Sequence, residues 1–168
     1  SMSQKLSRRS FLKTAGAVAV AAAAMSTLTA CGGGSSTSGD GITMSVKGYR
    51  INYTRIDSVV RYFYIVEAEF TNSNSGEYKL TNTQFTAKTA AGNLPFAYFN
   101  FVENKEPKIN AKTKILAGKA TQEVNLWFET TEEVYNKQER VDLAVSRKDN
   151  SGKTTTFVIK ANGEVVSE

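Results

Sequence analysis

Glu67 and Glu69 stand two residues apart in Val66-Glu67-Ala68-Glu69-Phe70, a stretch that alternates apolar and acidic side chains. On a strand, that spacing puts both carboxylates on one face, about 6.5–7 Å apart. Glycosidases work with carboxylate pairs at roughly 5–10 Å. Such work needs an environment that pushes the two pKa values apart. Nothing in the neighbouring sequence supplies one, so the pair reads as solvent-facing. Asp149-Asn150-Ser151-Gly152 has the opening of a calcium loop without the distal glutamate such a loop requires. It reads as a hairpin turn. A serine nucleophile needs a base. The chain contains no histidine, which leaves only a Ser–Lys pair, and no motif positions one. The same absence removes most zinc, copper and haem ligand sets. The expectation is a non-enzymatic protein with no catalytic residue, no metal site and no cofactor.

One residue does carry covalent chemistry. Cys31 is the single cysteine, so no internal disulfide forms. It closes Leu28-Thr29-Ala30-Cys31, which resembles a lipobox: the chain is cut before the cysteine and its thiol is lipidated. Upstream, Ser7-Arg8-Arg9-Ser10-Phe11-Leu12-Lys13 resembles a twin-arginine export signal, with Arg8, Arg9 and Phe11 as its marks. The layout agrees. Residues 1–13 carry Lys5, Arg8, Arg9 and Lys13 and no acid, and residues 14–30 carry no charge. A basic head, an apolar middle and a small-residue exit make a secretory signal. The apolar stretch, about 15 residues, falls short of the roughly 20 that span a bilayer. Lipobox chemistry implies two acyl chains on Cys31, enough for stable anchoring. The predicted location is therefore extracytoplasmic, lipid-anchored to the bacterial cell membrane, with the bilayer as a partner through Cys31.

Charge excludes another class. The net charge of +5 comes almost wholly from the signal, because Cys31 to Glu168 holds 17 basic and 16 acidic residues. That balance gives the exported part no bulk attraction for nucleic acid.

The organisation follows from composition and period. Residues 1–30 form the signal. Residues 31–40 are the cysteine and a Gly/Ser-rich tether. Residues 41–162 form one domain, and residues 163–168 a tail. Within the domain the apolar period is two. Ile42 to Val46 and Arg50 to Arg55 read as separate strands. Tyr62 to Thr71 puts Tyr62, Tyr64, Val66, Ala68 and Phe70 on one face and Phe63, Ile65, Glu67 and Glu69 on the other. Gln122 to Phe128 puts Val124, Leu126 and Phe128 inward, with Trp127 outward. Thr131 to Tyr135 reads as one helical turn, with Thr130 or Thr131 as its cap. The result is an all-β chain, an antiparallel β-sandwich of about seven to nine strands, with a small barrel as the alternative.

Three segments carry a resemblance. They are Tyr64-Ile65-Val66-Glu67-Ala68-Glu69-Phe70-Thr71-Asn72; Phe85-Thr86-Ala87-Lys88-Thr89-Ala90-Ala91-Gly92; and Leu116-Ala117-Gly118-Lys119 with Val124-Asn125-Leu126-Trp127-Phe128. They resemble the uncharacterised immunoglobulin-like domain of many small bacterial lipoproteins, similar in fold to small secreted immunoglobulin-like antigens. The resemblance implies an immunoglobulin-like sandwich in the cell envelope and supplies no active site.

The remaining feature is aromatic. In Phe96-Ala97-Tyr98-Phe99-Asn100-Phe101 the strand period sends rings to both faces. With Trp127, Phe63 and Ile65 also predicted outward, Phe63, Ile65, Phe99, Phe101 and Trp127 form a candidate exposed binding patch. The expected function is a protein-interaction module of the envelope. The alternatives are a small-ligand or glycan binder and a passive structural or antigenic surface lipoprotein.

Overall fold

The computed structural model describes residues 34–100 and 112–168. The signal residues Arg8, Arg9, Phe11, Leu28, Thr29 and Ala30, the anchor residue Cys31 and the patch residue Phe101 lie outside the described residues.

In chain order the strands are β1 (Gly34–Thr37), β2 (Ile42–Ile56), β3 (Val59–Asn72), β4 (Tyr78–Thr81), β5 (Phe85–Thr89), β6 (Gly92–Leu94), β7 (Phe96–Phe99), β8 (Thr113–Leu116), β9 (Thr121–Thr130), β10 (Leu143–Lys148), β11 (Thr154–Ile159) and β12 (Val165–Ser167). Among the described residues one α-helix, α1 (Glu132–Lys137), sits between β9 and β10, and a 3₁₀ turn (Asn82–Gln84) precedes β5. The first sheet runs β1-β2-β3-β9-β7 and the second β12-β11-β10-β5-β6. β4 and β8 form a separate two-stranded ribbon. All pairings are antiparallel. Neither sheet closes on itself, so the architecture is an antiparallel β-sandwich and not a barrel.

Alternation builds the core. Tyr64, Val66, Ala68 and Phe70 of β3, Val124, Leu126 and Phe128 of β9, and Leu143, Val145, Phe157 and Ile159 of the second sheet fill the space between the sheets. Phe85 lies at the meeting point of the aromatics, with ring centroids 5.9 Å from Phe70 and 5.7 Å from Phe99. Edge-to-face rings at these separations add to burial.

The sequence expectations are amended in three places. First, Ile42 to Val46 and Arg50 to Arg55 are one strand, β2, carried through by a bulge at Lys47 between Val46 and Gly48. A bulge adds a residue without ending the pairing, so the break in alternation is not a break in the strand. Second, the strands exceed the expected seven to nine, because three- and four-residue edge strands are too short to show a period. Third, the sandwich extends beyond residues 41–162. Gly34 to Thr37 of the expected tether pair with Val46 to Thr43 of β2. Val165 to Ser167 of the expected tail pair with Ile159 to Phe157 of β11. Gly34 explains why a Gly/Ser stretch suits a strand here. A Cβ at Gly34 would lie 3.0 Å from Val165 and 3.2 Å from Phe157, so a residue without a side chain lets β1 settle against the second sheet.

Candidate functional site

The polar centre of the molecule is Arg147. The alternation of β10 turns Leu143, Val145 and Arg147 inward, and Arg147 is only 2% exposed. A buried guanidinium needs a partner. Asp40, in the turn between β1 and β2, supplies it: Asp40 Oδ2 accepts from Arg147 Nη2, while Asp40 Oδ1 accepts from the Ile42 amide at 3.2 Å. Tyr78 on β4 completes the group. Its hydroxyl donates to Asp40 Oδ2 at 2.6 Å and accepts from Arg147 Nη2 at 3.0 Å and from Gln84 Nε2 at 3.1 Å. Ser38 accepts from Arg147 Nη1 at 3.2 Å. Burial, and then the bond to Asp40, raises the Tyr78 pKa above the ordinary phenol value. Chemically the cluster is a cross-sheet clasp, tying the N-terminal strand to β10 and to the β4–β8 ribbon.

Next to it, Asp149 closes the β10–β11 hairpin. Its Oδ1 accepts from the Ser151 hydroxyl at 2.7 Å and from the Ser151 and Lys153 amides at 2.9 Å each. The Ser151 hydroxyl, ahead of the amides and the nearby Arg147 charge, holds the carboxyl below its ordinary pKa. The expected hairpin turn at Asp149-Asn150-Ser151-Gly152 is therefore present, with Gly152 at φ 90°.

Glu67 and Glu69 share a face as expected. Each is joined to a cation on β2, Glu67 to Arg50 at 2.5 Å and Glu69 to Lys47 at 3.9 Å. Both glutamates keep access to solvent. They form cross-strand pairs and do not converge as an acid and a base.

The candidate binding patch is corrected. Phe63, Ile65, Phe99 and Trp127 are all 0% exposed. Phe63, Ile65 and Trp127 do lie on the face of the first sheet that points away from the second. There they form a second apolar cluster with Ile56, Ala97 and Tyr98. Phe63 and Trp127 meet edge to face at 5.2 Å between ring centroids, and Lys112 Nζ lies 4.4 Å from the Tyr98 ring centre. Period two tells which way a side chain points, not whether that face is covered. Phe99 belongs to the main core instead. The register of β7 on β9 shifts between Phe96 and Tyr98, a bulge that inverts the alternation. Phe96 and Phe99 thus come together, 4.8 Å between ring centroids, and Tyr98 turns to the opposite face.

What the sequence reading missed is the outer face of the second sheet. Two cross-strand rows cover it: Asn93–Lys88–Ala144–Val158–Val166, and Thr86–Ser146–Thr156. Small side chains in the middle and longer ones at the rim leave a groove of about 600 Å³, with Lys88 on one side and Glu168 on the other. Ser146 and Thr156 share a hydrogen bond across its floor at 2.7 Å. The only signal in the sequence was the run of small and hydroxylated residues at alternate positions, which also describes any wet sheet face.

The fold and its N-terminal segment define the class: an antiparallel β-sandwich carried behind an export signal. Residues 5–25 match the TAT (twin-arginine translocation) pathway signal sequence family, which indicates export across the cytoplasmic membrane. No curated protein matches the chain. Among solved structures, the chain is similar to ycdA of Bacillus subtilis, described as a candidate lipoprotein, with a TM-score of 0.48 and 14% identity over 76% of this chain and 38% of that one. The chain thus spans under two-fifths of that neighbour's length.

Proposed function

We propose that the exported chain is a lipoprotein held to the membrane by Cys31, and that its sandwich is a non-enzymatic protein-interaction module of the cell envelope, of the immunoglobulin-like kind it resembles. The observation that carries the anchoring is one of order along the chain. The match to the export-signal family ends at residue 25, Leu28-Thr29-Ala30-Cys31 follows, and β1 begins at Gly34. A cleavage and lipidation site therefore sits between a signal to be discarded and a sheet to be kept.

The surface that suits a protein partner is the groove on the outer face of the second sheet. Its hydroxyl floor offers donors and acceptors, and Lys88 and Glu168 bracket it with opposite charges. Polar rims of this kind give register and specificity more than affinity. The buried aromatics favour this reading over a glycan platform, which needs exposed rings.

Two measurements test it. Cys31→Ala should move the protein from the membrane fraction to the soluble one, and unchanged fractionation would sink the anchor. Residues 34–168, used as bait against solubilised envelope, should capture one dominant partner that Ser146→Arg releases. Capture unaffected by that arginine would remove the groove from the proposal, and a bait that retains only envelope polysaccharide would favour glycan binding.

A further inference from the structure

We propose that the tip of the β2–β3 hairpin is a second membrane contact that lays the sandwich along the bilayer; this rests on Cys31 being the lipid anchor. The hairpin tip carries an unusual surface. Val59 is 58% exposed and Val60 36%, two of the four large apolar side chains left exposed among the described residues. They are adjacent on a strand, so they point to opposite faces. A hairpin resting on protein would bury one of them. A tip inserted into an apolar medium keeps both. Arg55, paired with Val60 across the hairpin and exposed, places a cation beside them where a bilayer presents its headgroups. The turn itself, Asp57-Ser58, has both residues at positive φ, 51° and 66°. That is the tight two-residue connection that keeps a hairpin narrow to its end.

The anchor points the same way. β1 is antiparallel to β2, with Gly34 opposite Val46 and Thr37 opposite Thr43. Followed from Thr37 to Gly34, β1 therefore runs in the direction in which β2 climbs to the tip. From Ala68, which pairs with Val46, to Val59 at the tip there are nine steps of β3, about 30 Å of strand. Three peptide steps separate Cys31 from Gly34, and they reach at most about 10 Å. If lipid and tip touch one surface, the hairpin lies within about 20° of the bilayer plane by these lengths. Two valines are too few to hold a protein to a membrane alone. On a lipid-anchored domain the second contact is intramolecular, at high effective concentration, and serves to orient it.

The test uses the mature, lipidated chain in vesicles of phosphatidylglycerol and phosphatidylethanolamine that contain a shallow lipid-borne quencher. Lipidation consumes the only native thiol, so Val59→Cys accepts a single fluorophore. The expected result is co-flotation with the vesicles and strong quenching at position 59. Floated protein with an unquenched label at 59 overturns the proposal and leaves the anchor standing. Protein that does not float removes the anchor, and this proposal with it. With the label moved to Asp57→Cys, the pair Val59→Asp and Val60→Asp should abolish quenching while flotation persists. Quenching that survives both aspartates would show that the valines do not make the contact.

Discussion

Arg147 of the second sheet and Asp40 of the turn ahead of the first sheet's long strand form an ion pair with side chains 2% and 6% exposed. They are 107 residues apart in the chain. The pair fastens β1, the first strand among the described residues, to the opposite sheet, so Gly34 to Thr37 belong to the folded body.

Removing one member should cost far more than removing a surface charge. Asp40→Ala leaves the Arg147 guanidinium buried without its counter-ion, a loss of about 3–5 kcal/mol for such pairs. Replacing both, as Asp40→Leu with Arg147→Met, should recover most of that. Urea denaturation midpoints of residues 34–168 measure both, and a chain started at residue 41 should unfold as readily as Asp40→Ala.

The sign of the acid response follows from Asp149. Its folded pKa is lowered, first by the Ser151 hydroxyl. The carboxylate therefore contributes stability that is present above the unfolded value near 3.9 and lost as pH falls through the folded value. Asp149→Asn should lower stability at neutral pH and flatten the stability curve on the acid side of about pH 4. Thermal melts across that window report it, and an unchanged acid limb would reject the assignment.

Trp127 is the only tryptophan and is fully buried. Its emission should be blue-shifted and insensitive to aqueous iodide until the protein unfolds. Phe63→Ala removes the ring that meets it and should cost about 3–5 kcal/mol. A variant that keeps its denaturation midpoint and only loses a partner would restore Phe63 to a binding surface.

Gly118 supports the turn between β8 and β9. A Cβ there would stand 2.2 Å from the Ser75 carbonyl oxygen, and backbone cannot step aside as a flexible side chain does. Gly118→Ala should destabilise by about 1–3 kcal/mol or more, whereas Gly76→Ala, with open space around its Cβ, should lose little. Comparing the two midpoints separates close approach from the general cost of losing a glycine.

The buried Asn72 side chain joins the same two turns. Its Nδ2 donates to Gly76 O at 2.9 Å and to Leu116 O at 3.3 Å, and its Oδ1 accepts from the Asn74 amide at 3.0 Å. Asn72→Ala strands buried acceptors on both turns, a loss of about 1–3 kcal/mol. Hydrogen exchange should then quicken at Asn74 and Lys119, whose amide donates to Asn74 O at 2.9 Å.

The sequence by itself determined what local rules govern. The twin-arginine export signal is a linear motif. The inward set Tyr64, Val66, Ala68 and Phe70 follows from period two along one strand. The helical turn beginning at Thr130 or Thr131, whose cap is Thr131 accepting from the Val134 amide, and the Asp149 hairpin depend on residues within four positions. Tertiary structure decided whatever depends on distant neighbours. Trp127 and Phe63 point outward, as their parity requires, yet are buried in a cluster with Ile56, Ile65, Ala97 and Tyr98 that parity does not disclose. The bulge in β7 that sends Phe99 inward is a property of its pairing with β9. Gly34 to Thr37 became a strand because β2 offered an edge, with Val165 and Phe157 packed close against Gly34 at its start. The Arg147–Asp40 clasp combines both cases: alternation aims the arginine inward, and only the closing of one sheet over the other brings it an acid.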